Sequence, residues 1–367
     1  MAIKYKWLAQ QLRKQIYDNM EKGIPRLPTE KELCGRYQVS RQTVRQSLAL
    51  LEQEGLISRK QGSGSYITGL KSGSNVVAAL VYDDQEASCA SLLDELRRAL
   101  SQRGFSLNVQ VTGNRTWDEG EILGRLLESP PRALVAEGVK SALPSPNLDL
   151  YHRLRALGVP MVFLRGGYAA FPQEPCIKDD NLGGTGLLVR HLLEQGHREI
   201  GGVFRMDDLP GLERYQGFME AMKAAGHRVM DRRICWYASG ELEELSQGRL
   251  DFLRKMAVQQ LQDCTAVICH DDEIAYWLSR VLQPSYGVLQ PPHSPLRAPM
   301  AIAACESTYA SAGNMLSYTS LERRPRQLAY ALAQAVTDRL RGLAVPSREL
   351  PLELAVREST RVPLEAN

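Results

Sequence analysis

Ser40, Arg41, Gln42, Thr43 and Arg45 carry the clearest chemistry in this chain, because a helix opening at Ser40 would present them together. Such a face suits a nucleic-acid duplex. An arginine fork donates two hydrogen bonds to a guanine edge, a glutamine pairs with adenine, and hydroxyls and backbone N–H groups at a helix start meet phosphates. Two more clusters flank it: Leu27-Pro28-Thr29-Glu30 with Lys31 upstream, and Gln61-Gly62-Ser63-Gly64 downstream. Solvated surface charge alone would account for Arg41 and Arg45 but not for this company.

Elements must hold those side chains in place. Thr29 is placed to cap a helix and Glu32, three residues on, to complete a capping box. Ser40 then opens a second helix, in which Val44, Leu48 and Leu51 recur at one-turn spacing and face a core, leaving Arg41, Gln42 and Arg45 outward. Gly55 stops that helix, and residues 56–59 and 65–67 form a small hairpin around the glycines, a wing. Residues 5–21 read as an amphipathic helix, so no signal peptide is expected.

Charge is unevenly spread. Residues 1–71 hold thirteen Lys+Arg against six Asp+Glu, a net of +7, while the whole chain carries only +3. A basic DNA-facing module is therefore joined to a larger body with another task. At 367 residues, 44% hydrophobic and 24% charged, the chain has room for two or three compact domains, and nothing in it reads as a membrane span. Seven scattered cysteines form no Cys-x-x-Cys pair and six dispersed histidines offer no ligand cluster. Reduced thiols, a cytoplasmic location and no metal or cofactor are expected.

Residues 68–74 are small, polar and glycine-bearing, as a connector should be. After them, short apolar runs at 75–82, 105–111, 133–135, 161–164, 200–204, 266–269 and 301–304 alternate with helical spacings such as 92–100. The alternation predicts a parallel α/β body, in which ligands lie beyond the carboxyl ends of the strands. Tyr82 and Asp83, Arg165, and Asp271 stand at such ends, and Trp236 with Tyr237 offers aromatic faces on which a ligand could stack.

Residues 1–68 resemble the winged helix-turn-helix of the GntR family of bacterial transcription regulators, with Thr29 in place of the family's usual serine. The resemblance implies DNA contacts at Lys31, Arg41, Thr43, Arg45 and Gly62; with the residue types above, the candidate DNA-binding set is Lys31, Ser40, Arg41, Gln42, Thr43, Arg45, Gly62 and Gly64. Lys31 stands where arginine is common, which keeps a phosphate contact and gives up a bidentate one.

A second resemblance covers residues 75–361, beyond the connector 69–74. Lys178-Asp179-Asp180-Asn181-Leu182-Gly183-Gly184, the run 191–200, Arg214-Tyr215-Gln216-Gly217-Phe218 and the closing stretch 352–360 are similar to the signature of LacI/GalR-type regulators. It implies two Rossmann-like lobes of the periplasmic-binding-protein type with a sugar-sized cleft between them, exchanging near residues 165–180, 318–322 and 342–351, and a dimer formed through helices near 92–100 and 329–340. A GntR head on such a body is similar to the arabinose repressors of Gram-positive bacteria.

By that resemblance Arg214 donates to effector oxygens, Asp271 takes the place of a common asparagine ligand, and Asp272 caps the helix that follows. Two positions depart from the pattern. Arg165 stands where relatives offer an acceptor, and Cys305, with Glu306 beside it, replaces an aspartate. The effector set is thus Tyr82, Asp83, Arg165, Arg214, Trp236, Asp271 and Glu306. Arg165 and Arg214 together would grip an anionic effector; pairing of Arg165 with Asp271 or Glu306 would leave a cleft for a neutral sugar. Both stay open at this level.

The expectation is a DNA-binding transcriptional repressor, with double-stranded operator DNA, a small sugar-like effector and a second copy of the chain as partners. An activator of the same architecture is the alternative. An aminotransferase-type enzyme body, which some GntR heads carry, is disfavoured: the chain shows no Ser-His-Asp order, metal-ligand spacing or Walker A loop.

Overall fold

A computed structural model describes residues 2–21, 26–53, 56–60, 64–67, 75–282, 300–307 and 318–360. Residues 55 and 62, and the connector 68–74, lie outside the described residues.

The head consists of α1 (Ala2–Glu21), α2 (Glu30–Tyr37), α3 (Arg41–Gln53) and the hairpin β1 (Ile57–Lys60) with β2 (Gly64–Ile67). The capping box is formed: Glu32 N–H donates to Thr29 Oγ1 at 3.3 Å and Thr29 N–H to Glu32 Oε2 at 2.7 Å. Gln38, in the left-handed region at φ 50°, closes α2 and swings the chain toward α3. Ser40 Oγ then accepts from Thr43 N–H at 3.2 Å, the predicted cap. Leu8, Leu12 and Ile16 of α1 meet Leu33, Val44, Leu48, Leu51 and Ile57 in one core, so the outward face of α3 is the one its periodicity predicts.

The body holds two six-stranded sheets. In the first lobe β3 (Val76–Val81), β4 (Ser106–Val111), β5 (Ala133–Ala136), β6 (Met161–Leu164), β7 (Cys176–Asp179) and β13 (Arg348–Leu350) lie in the order β13-β7-β6-β5-β3-β4, all parallel. In the second, β8 (Ile200–Arg205), β9 (Ile234–Tyr237), β10 (Ala266–Cys269), β11 (Ala301–Ala304), β12 (Thr319–Glu322) and β14 (Glu353–Ala355) lie in the order β14-β12-β11-β10-β8-β9, with only β14 antiparallel to its neighbour. Continuous apolar strands such as Ala133–Ala136 and Ala266–Cys269 are buried throughout because helices cover both sheet faces.

The chain passes between lobes after β7, after β12 and after β13. The second passage follows Glu322, just past the expected 318–322, because all of β12 belongs to the second sheet. The expected closing strand is shorter than its sequence run: β14 ends at Ala355, and Glu358–Thr360 is a 3-10 turn. Ser359 Oγ there donates to Ile302 O at 2.6 Å, and Arg357 N–H to Thr319 Oγ1 at 2.9 Å, which bends the backbone out of the ladder.

The helices Ala87–Ser101 and Pro325–Leu340, the candidate dimer helices, pack on one another: Leu92, Leu96, Leu328, Leu332 and Val336 share the first lobe's core. Charged residues Asp94, Arg97 and Arg98 remain on the outer side, paired locally.

Candidate nucleic-acid interface and effector cleft

On the head, Arg41, Gln42 and Lys31 are exposed, and Thr43 is half-buried against Ser40, whose Oγ lies 2.8 Å from the Thr43 hydroxyl. Arg45 stands 65% exposed on the same face, with its Nε donating to Glu30 Oε2 at 3.0 Å. Glu30 also accepts from Arg59 of the wing at 3.0 Å. One carboxylate thus ties the reading helix to the wing. Exposed pairs of this kind contribute little stability, on the order of 0–1 kcal/mol, and here they fix where the Arg45 and Arg59 side chains lie relative to one another. Gly64 opens β2, opposite Lys60.

In the body, nearly every titratable group of the cleft sits at the carboxyl end of a strand, as the topology demands. The first lobe contributes Tyr82, Glu137, Arg165 and Asp179; the second contributes Arg205, Tyr237, His270, Asp271, Glu306 and Arg323. Arg214 comes from the helix Leu209–Ala224 and is 2% exposed. It donates to His270 O at 2.7 Å, Asn181 Oδ1 at 3.2 Å and Glu306 Oε2 at 3.0 Å. That position depends on Gly217. A Cβ there would stand 2.2 Å from Leu182 O, so only glycine lets the two helices approach closely enough to join Arg214 to Asn181.

Charges in the cleft are matched. Arg165 Nη1 donates to Glu137 Oε1 at 3.1 Å, and Glu137 Oε2 accepts from Tyr82 N–H at 3.1 Å. Arg323 joins Asp179 at 2.9 Å and also Glu306, while Arg205 pairs with Asp208. Burial would push the Glu306 carboxyl up, but Arg323, Arg214 and Arg165 outweigh it and hold it at about 2. Burial pushes Asp271 up to about 7 and holds the His270 imidazole well below its usual value.

Four polar atoms buried in this cluster, Asp179 Oδ2, Arg165 Nε, Tyr237 Oη and His270 Nδ1, have no hydrogen-bond partner among the described residues, and of these Asp179 Oδ2 has the ion pair with Arg323. Natural interiors leave few such groups, and those that occur mark strain, chemistry or a missing partner.

The lobes touch around the cluster. Asn114 Nδ2 donates to Ser239 Oγ at 2.6 Å, Ser239 Oγ to Asp207 Oδ1 at 2.9 Å, and Leu209 N–H to Ser141 Oγ at 3.0 Å. The Arg205 guanidinium lies 5.9 Å from the Tyr82 ring centre. Beyond the Ser141–Leu209 contact, a separate pocket of about 630 Å³ includes Lys178 and Glu213. Signature residue Lys178 pairs there with Glu213 and with Glu349 at 3.1 Å, on the far side from Asp179.

Several expectations change. Trp236 is no cleft residue: it packs against Tyr215 at 5.0 Å and Phe204 at 6.1 Å in the second lobe's core, because strand alternation turns Tyr237 the other way, toward His270 at 6.0 Å. Asp83 is exposed, and its Oδ1 accepts from Gln85 N–H at 2.8 Å to shape the turn after β3. Asp271, not Asp272, caps the following helix, accepting from Ile274 N–H at 2.8 Å. Arg165 pairs with neither Asp271 nor Glu306. Its partner is Glu137, missed by the sequence reading although its place at a strand end could be read from an apolar run that continues one residue past the expected 133–135.

Among the described residues no helix is long and apolar enough to cross a membrane, and no group of three or more His, Cys, Asp or Glu is placed to hold a metal ion. Residues 4–67 match the family model of bacterial regulatory proteins of the gntR family, and residues 189–285 that of the periplasmic binding protein-like domain. The arabinose metabolism transcriptional repressor of Geobacillus stearothermophilus is 31% identical over 286 residues, 76% of this chain and 77% of that relative. Its namesake in Halalkalibacterium halodurans is 28% identical over 77% of this chain and 76% of the relative.

Among solved structures, the complex of the transcriptional regulator CelR with cellobiose aligns at TM-score 0.64 and 22% identity, over 88% of this chain and 92% of that one. A periplasmic binding protein/LacI transcriptional regulator from Alkaliphilus metalliredigens QYMF, complexed with D-xylulofuranose, aligns at TM-score 0.60 and 17% identity, over 78% of this chain and 99% of that one. These likenesses support the two-lobed fold. Sequence identity of 31% over more than two thirds of both chains goes further, and the protein belongs to the DNA-binding transcriptional repressors that join a GntR-type head to a periplasmic-binding-protein-like body, the family of the arabinose metabolism repressors.

Proposed function

We propose that this repressor binds its operator as a homodimer and is released when a neutral, hydroxyl-rich sugar fills the cleft between its lobes. The observation that carries the reading is the set of buried, unpartnered polar atoms at Arg165 Nε, Tyr237 Oη and His270 Nδ1, drawn from both lobes. Adjacent hydroxyls of one small sugar would satisfy donors and acceptors of this mixed kind. Matched charge favours a neutral ligand over an anion, because Arg165, Arg205, Arg214 and Arg323 each already face a carboxylate. The names of the relatives point to arabinose, and those of the structural neighbours to cellobiose and D-xylulofuranose, which share this chemistry.

Release follows only if the sugar prefers one lobe arrangement, since equal affinity for both states shifts nothing. Two heads on a two-fold operator would lift a small reading surface above non-specific affinity. The test is calorimetry on the full chain with neutral pentoses and hexoses, uronates and sugar phosphates, each followed by operator release in a fluorescence assay. Neutral sugars are expected to give heat and release. Heat from the anionic sugars alone would overturn the neutral reading, and a monomer by sedimentation at operator-binding concentrations would overturn the dimer.

A further inference from the structure

On the wing, β-strand alternation puts Tyr66 and Gly64 on one face and Ser65 and Ile67 on the other. Ile67 packs on the head's core, and Arg59, opposite Ser65 in the register, turns to Glu30 and the reading helix. The Tyr66–Gly64 face points away from that core. A third extended segment lines it, because Arg26 bridges Tyr66 in the antiparallel sense and Leu27 N–H donates to Ser65 O at 3.0 Å.

Arg26 is exposed, and its side chain runs along this face from Tyr66 toward Gly64. Its guanidinium carbon lies 5.4 Å from the centre of the Tyr66 ring. Farther along, a Cβ built on Gly64 would meet Arg26 Nη2 at 3.2 Å and Nε at 3.4 Å. Gly64 is glycine because its φ of +107° is one that side chains rarely adopt, and the guanidinium lies against its bare backbone. The aromatic ring restrains a side chain that otherwise loses much rotamer entropy on binding.

We propose that Arg26, held over Tyr66 and Gly64, is the wing's DNA-reading residue, placed to enter a narrow A·T-rich minor groove beside the half-site that α3 reads from the major groove. The proposal deepens the DNA-binding role of the head. Glu30 ties Arg59 of the hairpin to Arg45 of α3, so a helix lying in the major groove would carry the hairpin to the groove beside it, and the negative potential of a narrow A-tract minor groove attracts an inserted arginine more than a wide G·C groove does. Arg26 therefore adds sequence preference through groove width, at base pairs α3 does not touch.

The probe is a duplex selected by the full-length protein from a random 30-base-pair pool, rebuilt with an A-tract or a G·C run flanking each selected half-site. Wild type is expected to prefer the A-tract form. Arg26→Ala should bind it about tenfold more weakly, lose the preference between flanks, and lower the salt slope by about one unit per head. Arg26→Gln keeps the stem over Tyr66 and should behave alike while melting as wild type does, which separates lost contact from lost folding.

Unchanged affinity and slope in both variants would overturn the proposal. Equal loss on the two flanks without a change in slope would also overturn it, by reducing Arg26 to a cover for Tyr66. Arg45→Ala is the control: loss there with none at Arg26 rejects the wing contact alone, and loss at neither rejects the docking of the whole head.

Discussion

Arg165 and Glu137 face each other across 3.1 Å inside the first lobe's end of the cleft, and Arg165 does so from a left-handed backbone at φ 61°. A conformation that costs a non-glycine residue about 1–3 kcal/mol persists where its surroundings over-determine it. Here the backbone is held on both sides, by Arg165 N–H to Ile177 O at 3.1 Å and Gly166 N–H to Leu164 O at 2.6 Å.

On the proposed function, this pair keeps an anionic effector out. Glu137→Gln should leave Arg165 buried and uncompensated, lower stability by roughly 3 kcal/mol as breaking a buried pair does, and shift preference toward uronates or sugar phosphates. Calorimetry and chemical denaturation of the variant check both; unaltered selectivity would show that Glu137 does not set it.

Arg45→Ala should weaken binding to the selected operator by about 1–3 kcal/mol, as loss of a base-reading arginine does. Lys31→Ala should weaken specific and non-specific duplexes alike and reduce the salt slope by about one unit. Anisotropy titrations at several salt concentrations separate the two roles.

Ser239 links the lobes, since it accepts from Asn114 and donates to Asp207. Ser239→Ala removes about 1 kcal/mol of closing hydrogen bond, so sugar affinity should fall about fivefold while operator affinity without sugar stays the same. An equal loss in both titrations would argue against a role in lobe closure.

Asp271 sets a pH dependence. Its carboxyl is raised in the folded chain from 3.8 to about 7, chiefly by burial, so the native state holds a proton that the unfolded chain has released. Its contribution is complete below pH 4 and is lost as pH rises toward 7. Asp271→Asn keeps an oxygen for the Ile274 N–H and removes the titration. Between pH 5 and 7 the variant should lose less stability than wild type, by about 2 kcal/mol or roughly 4–8 °C in melting temperature. Parallel melting curves for the two proteins would refute it.

Local patterns were enough for the head. The Thr29–Glu32 box, the Ser40 cap and the spacing of Val44, Leu48 and Leu51 are contacts within a turn or two of helix, so residue order alone specifies them. The alternation of apolar runs likewise pointed to a parallel α/β body, its division into two lobes came from the family resemblance, and the strand-end rule pointed to Tyr82, Arg165 and Asp271. Partnership was beyond it. Which carboxylate meets Arg165, whether Trp236 or Tyr237 faces the cleft, and that Arg26 lies along Gly64 depend on strand register and on helices approaching from far along the chain. Glu137 and Arg165 are 28 residues apart, and Arg214 and Glu306 are 92 apart. Charge pairing at such separation is decided by packing, because a buried guanidinium takes whichever carboxylate the fold delivers.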